Sequence, residues 1–163
     1  MLIPDLIMLA VVLVGTEYLA IGTQEAEHKQ WVDRLSRAYK LGVTLVYGTD
    51  ATTRVANVTR GQDAISGIDP WIEAGIPPRA ILKAMTTEAH RLLGLDGQRG
   101  FLKVGMAADH IATPANPLED ITTLKAVWFV MKNRAVVRND AGAGEAVGRG
   151  PGFAVLAAWA AGR

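Results

Sequence analysis

Apolar residues recur along this chain in two rhythms, and the change of rhythm divides it. From Gln24 to Leu41 the spacing is helical: Trp31, Val32, Leu35, Ala38 and Tyr39 fall on one face of a predicted helix. Thr23 stands before it as an N-cap, Glu25 and Glu27 suit its first turns, and Gly42 supplies the stop. Val43 to Tyr47 is then a short unbroken run of strand-favouring residues, and Gly48 lets the chain bend where the run ends. A helix leading straight into a strand is an αβ unit and favours a parallel sheet. Two more helices are predicted. Gly61 to Glu73 turns Ala64, Ile65, Ile68, Trp71 and Ile72 inward, and Pro78 to Leu93 does so with Ile81, Leu82, Met85, Ala89, Leu92 and Leu93. Gly75 stops the first, Pro77-Pro78 opens the second where proline is tolerated, and Gly94 caps it.

From Gly100 onward the pattern turns to strands, predicted over Gly105 to Pro114 and Lys125 to Arg138. In the second, Val127, Phe129 and Met131 alternate with Trp128, Val130 and Lys132. Asn133-Arg134 makes a hairpin turn, and Ala135 to Val137 returns. Arg134 falls where the turn wants a positive φ, at a cost of roughly 1 kcal/mol. Asn139 to Arg163 is rich in glycine and alanine and is expected to be a loose tail with a short helix near Phe153 to Ala161.

At the start, Leu6 to Gly15 is an apolar run flanked by Pro4, Asp5 and Glu17. A membrane-spanning helix needs about 20 apolar residues, so the run is too short for one. A signal peptide needs a basic leading segment, and Met1 to Asp5 has none. Ala10 to Val14 therefore reads as a buried strand, with an interfacial or membrane helix and a signal peptide as the alternatives.

Composition narrows the picture. The chain has 163 residues, half of them hydrophobic and a fifth charged, which is globular rather than disordered composition. With 17 basic and 16 acidic residues the net charge is +1, and no basic stripe marks a nucleic-acid face. The absence of cysteine excludes disulfides, iron–sulfur clusters and thiol nucleophiles.

The chemistry converges on one carboxylate. Asp50 follows the Val43 to Tyr47 strand at its carboxyl end, which is where α/β sheets and barrels bind ligands. A plain helix or turn cap is the competing role. Arg54, Asn57 and Arg60 lie on the polar stretch that follows and are either substrate contacts or ordinary loop polarity. Asp109 is expected to tie a turn, Glu119 and Asp120 to cap one, Thr86-Thr87 to pack inside the Pro78 helix, and Trp71 to fill the core. His28, His90 and His110 show no ligand spacing and are read as structural.

In order along the chain stand Gly48-Thr49-Asp50-Ala51, Ala74-Gly75-Ile76-Pro77-Pro78, Gly105-Met106-Ala107-Ala108-Asp109 and Asn116-Pro117-Leu118-Glu119-Asp120-Ile121. That series resembles the C-terminal part of the metal-dependent amidohydrolases, most nearly the imidazolonepropionase-like branch. The resemblance implies an α/β fold: the last strands and helices of a (β/α)8 barrel over residues 1–98, the C-terminal share of a small β-sheet domain over 99–138, and an unmatched tail over 139–163. It implies hydrolysis of a carbon–nitrogen bond other than an ordinary peptide bond in a small amide-type substrate. A divalent metal, zinc foremost, would be needed. Asp50 would be both metal ligand and catalytic base, taking a proton from the attacking water and handing it to the leaving nitrogen.

The family's His-x-His pair and its later histidine ligands have no counterpart here, and one carboxylate cannot hold a catalytic zinc. A full barrel takes roughly 250 residues. The chain therefore reads as a C-terminal fragment, inactive alone. The alternatives are a non-catalytic remnant that associates with another chain, or with itself, through its open barrel edge, and a small membrane-associated protein anchored by Leu2 to Ile21. Neither nucleic acid nor membrane is the expected partner, and the cytoplasm is the expected compartment, with a signal peptide upstream of Met1 left open.

Overall fold

The computed structural model describes residues 10–13, 24–49, 57–140 and 154–155. The chain divides into two compact units, Met1–Glu88 and Ala89–Arg163.

In the first unit, strand β1 (Ala10–Leu13) pairs in parallel with β2 (Leu45–Gly48), Ala10 opposite Leu45 and Leu13 opposite Gly48. The parallel pairing expected of an αβ unit is present, and helix α1 (Gln24–Lys40) lies between the two strands in sequence. Gly42, at φ +73°, ends the helix, a backbone conformation that costs glycine nothing. Leu35 on α1 is fully buried, while Tyr39, expected inward, is exposed.

Beyond β2 the chain forms α2 (Arg60–Ser66), α3 (Asp69–Glu73), α4 (Pro78–Met85) and α5 (Thr87–Leu92). Helix α4 packs on β2, and α1 packs against α3. The core holds Leu45, Val46, Ile68, Trp71, Ile76, Ile81 and Leu82. Burying side chains of this size contributes roughly 1.5–3 kcal/mol each.

Two helices predicted whole are split. The Gly61 to Glu73 segment breaks at Gly67 and Ile68, because Pro70 has no N–H to continue a ladder and instead opens α3. The Pro78 to Leu93 segment breaks at Thr86, whose backbone leaves helical space at φ −122°, ψ −85°. The Thr86 hydroxyl donates to the Leu82 carbonyl at 2.6 Å, a local bond that competes with the helix ladder. Ile72, Leu92 and Leu93, expected in the core, are exposed; Leu93 is 67 % accessible.

The second unit is built on an antiparallel sheet in the order β5-β4-β3-β6, from β3 (His110–Thr113), β4 (Phe129–Lys132), β5 (Ala135–Asn139) and β6 (Ala154–Val155). The strand predicted from Gly105 begins only at His110, since Gly105 sits at φ +91° in a turn. Residues Ile121–Ala126 are a 3₁₀ helix, so Lys125 and Ala126 are not strand. Asp120 caps it by accepting from the Thr122 N–H at 2.9 Å, the capping role its sequence position suggested. Ala154 and Val155, inside the predicted short helix, are instead a strand against β3.

The hairpin turn falls at Asn133 (φ +49°) and Arg134 (φ +67°), both left-handed as a two-residue turn requires. Val130 faces Arg138 while Met131 faces Val136, so Val137 bulges from β5.

Candidate functional site at the end of strand β2

The candidate site is built from the carboxyl end of β2 outward. Leu45 and Val46 are buried, which pins the strand, and Tyr47 and Gly48 follow half-buried. The Tyr47 hydroxyl donates to the Ala64 carbonyl of α2 at 2.6 Å. Its ring packs on Trp71 at a centroid distance of 5.6 Å and an angle of 51°. Burial and the nearby negative charge of Asp69 push the Tyr47 phenol well above its ordinary pKa, so it stays a neutral donor.

Gly67 completes this packing. A β-carbon there would lie 2.7 Å from the Tyr47 hydroxyl oxygen and 2.9 Å from Thr49 Cγ2, so only glycine lets the α2–α3 corner approach the strand end. Tyr47 and Gly67 were not singled out by sequence as site residues. The only signal was the aromatic closing an apolar run.

Asp50 lies outside the described residues, as does Arg54. What is described is the approach: β2 ends at Gly48, and Thr49 touches the Gly67 corner. Asn57 is exposed with φ +63°, a conformation asparagine tolerates. Thr59 then opens α2 with a capping box: its hydroxyl accepts from Gln62 N–H at 3.2 Å, and Gln62 Oε1 accepts from Thr59 N–H at 2.9 Å. Arg60 is the first residue of that helix.

Each histidine has its own local contact. His28 Nε2 of α1 pairs with Glu73 Oε2 of α3 at 2.6 Å, an exposed contact worth at most about 1 kcal/mol. His90 lies against Gly100, where a β-carbon would come within 3.1 Å of its Nδ1. His110 stacks on Phe129 at 5.4 Å, with Nδ1 buried and without a hydrogen-bond partner. Among the described residues no group of three histidine, aspartate or glutamate side chains could hold a metal ion. The described residues therefore do not fit a metal centre. Among them, too, no helix is long and apolar enough to cross a membrane.

A hollow of about 150 Å³ in the first unit is lined by Tyr39, Val43, Leu45, Trp71, Ile76 and Lys83 among others. It lies at the amino end of β2. Trp71 is part of this lining, and its indole N–H is buried without a hydrogen-bond partner.

Asp109 does tie a turn. Its carboxylate accepts the Asn133 backbone N–H at 2.7 Å and pairs with the Arg99 guanidinium, which also donates to Asn133 Oδ1 at 2.7 Å. The Asn133 hydrogen bond foremost, then Arg99, holds the Asp109 carboxyl below its usual pKa.

No family model matches the chain, and no curated protein does. Solved structures match. A Xaa-Pro dipeptidase with methionine bound in its active site is 31 % identical, with a TM-score of 0.61 over 68 % of this chain and 26 % of its own. An amidohydrolase is 22 % identical, with a TM-score of 0.57 over 69 % of this chain and 27 % of its own. Molinate hydrolase is 21 % identical, with a TM-score of 0.63 over 78 % of this chain and 32 % of its own. The chain spans between a quarter and a third of the length of these structures.

Proposed function

The chain belongs to the amidohydrolase family, and from that premise we propose that it serves hydrolysis of a carbon–nitrogen bond next to a carbonyl. In this reading β1 and β2 are the closing strands of a (β/α)8 barrel. Strands β3, β4 and β5 belong to a small sheet domain, with 1–98, 99–138 and 139–163 as the functional division. The observation that carries the reading is the parallel β1–β2 pair, whose second strand ends two residues before Asp50. That position is the face where barrels do their chemistry.

Asp50 is proposed as the base that takes a proton from the attacking water and returns it to the leaving nitrogen. Tyr47, Gly67 and Trp71 hold the end of β2, two residues before Asp50 in sequence. The similarity to a Xaa-Pro dipeptidase makes a dipeptide with C-terminal proline the first substrate class to try, ahead of cyclic amides. Family membership implies a divalent ion, zinc first, and Asp50 is the proposed ligand. The described residues supply no other, so no step is drawn through a metal.

The test is an assay on Xaa-Pro dipeptides and on cyclic amides, with and without added zinc or manganese, of the chain alone and of the chain joined to a segment that supplies the N-terminal barrel strands. The expected result is no activity from the chain alone and, from the joined form, activity that Asp50→Asn removes. Activity that survives Asp50→Asn would take the catalytic role away from this residue.

A specific observation favours a second reading. Among the described residues each of β1 and β2 has one neighbour. A two-stranded sheet is marginal alone, so its edges favour pairing with a further chain. If the joined form is inert on every substrate and the chain alone sediments as an oligomer, association is its role.

A further inference from the structure

We propose that Asp96–Gly97 is a site of spontaneous backbone modification, where the aspartate cyclises to a succinimide and reopens to isoaspartate. The pair lies in the exposed turn after α5. Gly97 carries no side chain, and a β-carbon built on it meets nothing within 4 Å, so no neighbouring group crowds the β-carbon side of this residue. The Gly97 N–H donates to no described group, while its neighbours Gln98 and Arg99 both donate to the Leu95 carbonyl at 2.9 Å. No described residue holds the Asp96 carboxylate by a hydrogen bond or an ion pair.

The chemistry balances with water alone. The Gly97 nitrogen, having lost its proton, attacks the side-chain carboxyl carbon of Asp96. A C–N bond forms, the carboxyl hydroxyl leaves with a proton as water, and a five-membered imide closes. Water then adds to one of the two imide carbonyls. Opening at the original main-chain carbonyl breaks that C–N bond and routes the backbone through the former side chain.

The consequence lies one turn away. An isoaspartate lengthens the backbone by one carbon between Leu95 and Gly97. That disturbs the two bonds to the Leu95 carbonyl and the bond from Ala107 N–H to the Gln98 carbonyl at 2.9 Å. Arg99, which clamps Asp109 and Asn133, stands at the end of this turn. Ageing at Asp96 thus loosens the clamp on the β4–β5 hairpin.

The experiment ages the full chain at pH 7.4 and 37 °C, folded and in urea, and follows the tryptic peptide Leu92–Arg99 by chromatography and mass spectrometry. The expected result in the folded chain is a second peak of identical mass, resistant to cleavage at Asp96 by an aspartate-specific protease. A transient species lighter by one water should precede it, and Gly97→Ala should lose most of the second peak. Asp109, held by Arg99 and Asn133, should show no such peak. A single peak from the folded chain beside two from the chain in urea would mean that the turn protects the site, and would overturn the proposal. So would a single peak under both conditions.

Discussion

The Asp109 carboxylate accepts the backbone N–H of Asn133 at 2.7 Å, joining the residue before β3 to the turn between β4 and β5. Arg99 neutralises the same carboxylate and reaches the Asn133 side chain, so one charged cluster fixes a left-handed turn from two sides. Because these bonds favour the ionised form, the folded carboxyl titrates below an unfolded aspartate at about 3.9. A depressed carboxyl stabilises the fold above the unfolded pKa, and that stability is lost as pH falls through the folded pKa. Urea midpoints should therefore be flat from pH 7 to about 5 and drop below about 4, and Asp109→Asn should blunt the acid drop. An unchanged acid limb in Asp109→Asn would assign the drop to other carboxylates, of which Asp120, lowered by its bonds to Thr122, is the first to examine.

Arg134 holds φ +67° in that same turn. A left-handed arginine costs roughly 1 kcal/mol, which glycine does not incur. Arg134→Gly should raise the stability of the folded chain by about that amount, read as a higher urea midpoint with an unchanged slope. A lower midpoint would mean that the Arg134 side chain makes a contact worth more than the strain.

The capping box of α2 follows directly after the segment that contains Asp50. Thr59→Ala removes the acceptor for the Gln62 N–H and should destabilise by about 1 kcal/mol. Thr59→Ser keeps the hydroxyl and should restore most of the loss. Equal midpoints for the two variants would show that the box contributes nothing here.

Much of this architecture is legible in the sequence where one residue type answers a local demand. Gly42, Gly75 and Gly94 all take positive φ where a helix was expected to stop, and Asn133-Arg134 turns where the alternation reverses. The parallel β1–β2 pairing follows from helix leading into strand. The breaks at Gly67 and Thr86 are not legible, because apolar spacing continues across both and periodicity averages over them. Thr86 breaks through its own hydroxyl bond to Leu82, and a sequence window weighs that only as a weak propensity. Leu92 and Leu93 continue the apolar stripe and are nonetheless exposed. The site is legible only as a position. The strand end before Asp50 is described and Asp50 itself is not, and Gly67 becomes a site-forming residue only once α2 and β2 are seen together.

That juxtaposition gives the last prediction. Gly67→Ala places a methyl group 2.7 Å from the Tyr47 hydroxyl oxygen and 2.9 Å from Thr49 Cγ2. The Tyr47 hydroxyl is tied to Ala64 and its ring lies against Trp71, so it cannot swing away cheaply. Overpacking of this kind costs about 1–3 kcal/mol. Tyr47→Phe removes the oxygen that the methyl group would meet, at a cost of about 1 kcal/mol for the lost hydrogen bond. The double variant Gly67→Ala with Tyr47→Phe should therefore be more stable than the sum of the single losses, by a coupling of about 1 kcal/mol in a double-mutant cycle. Additive losses would mean that the strain falls on Thr49 instead. In that case Thr49→Ser, which removes the Cγ2 methyl, should relieve Gly67→Ala.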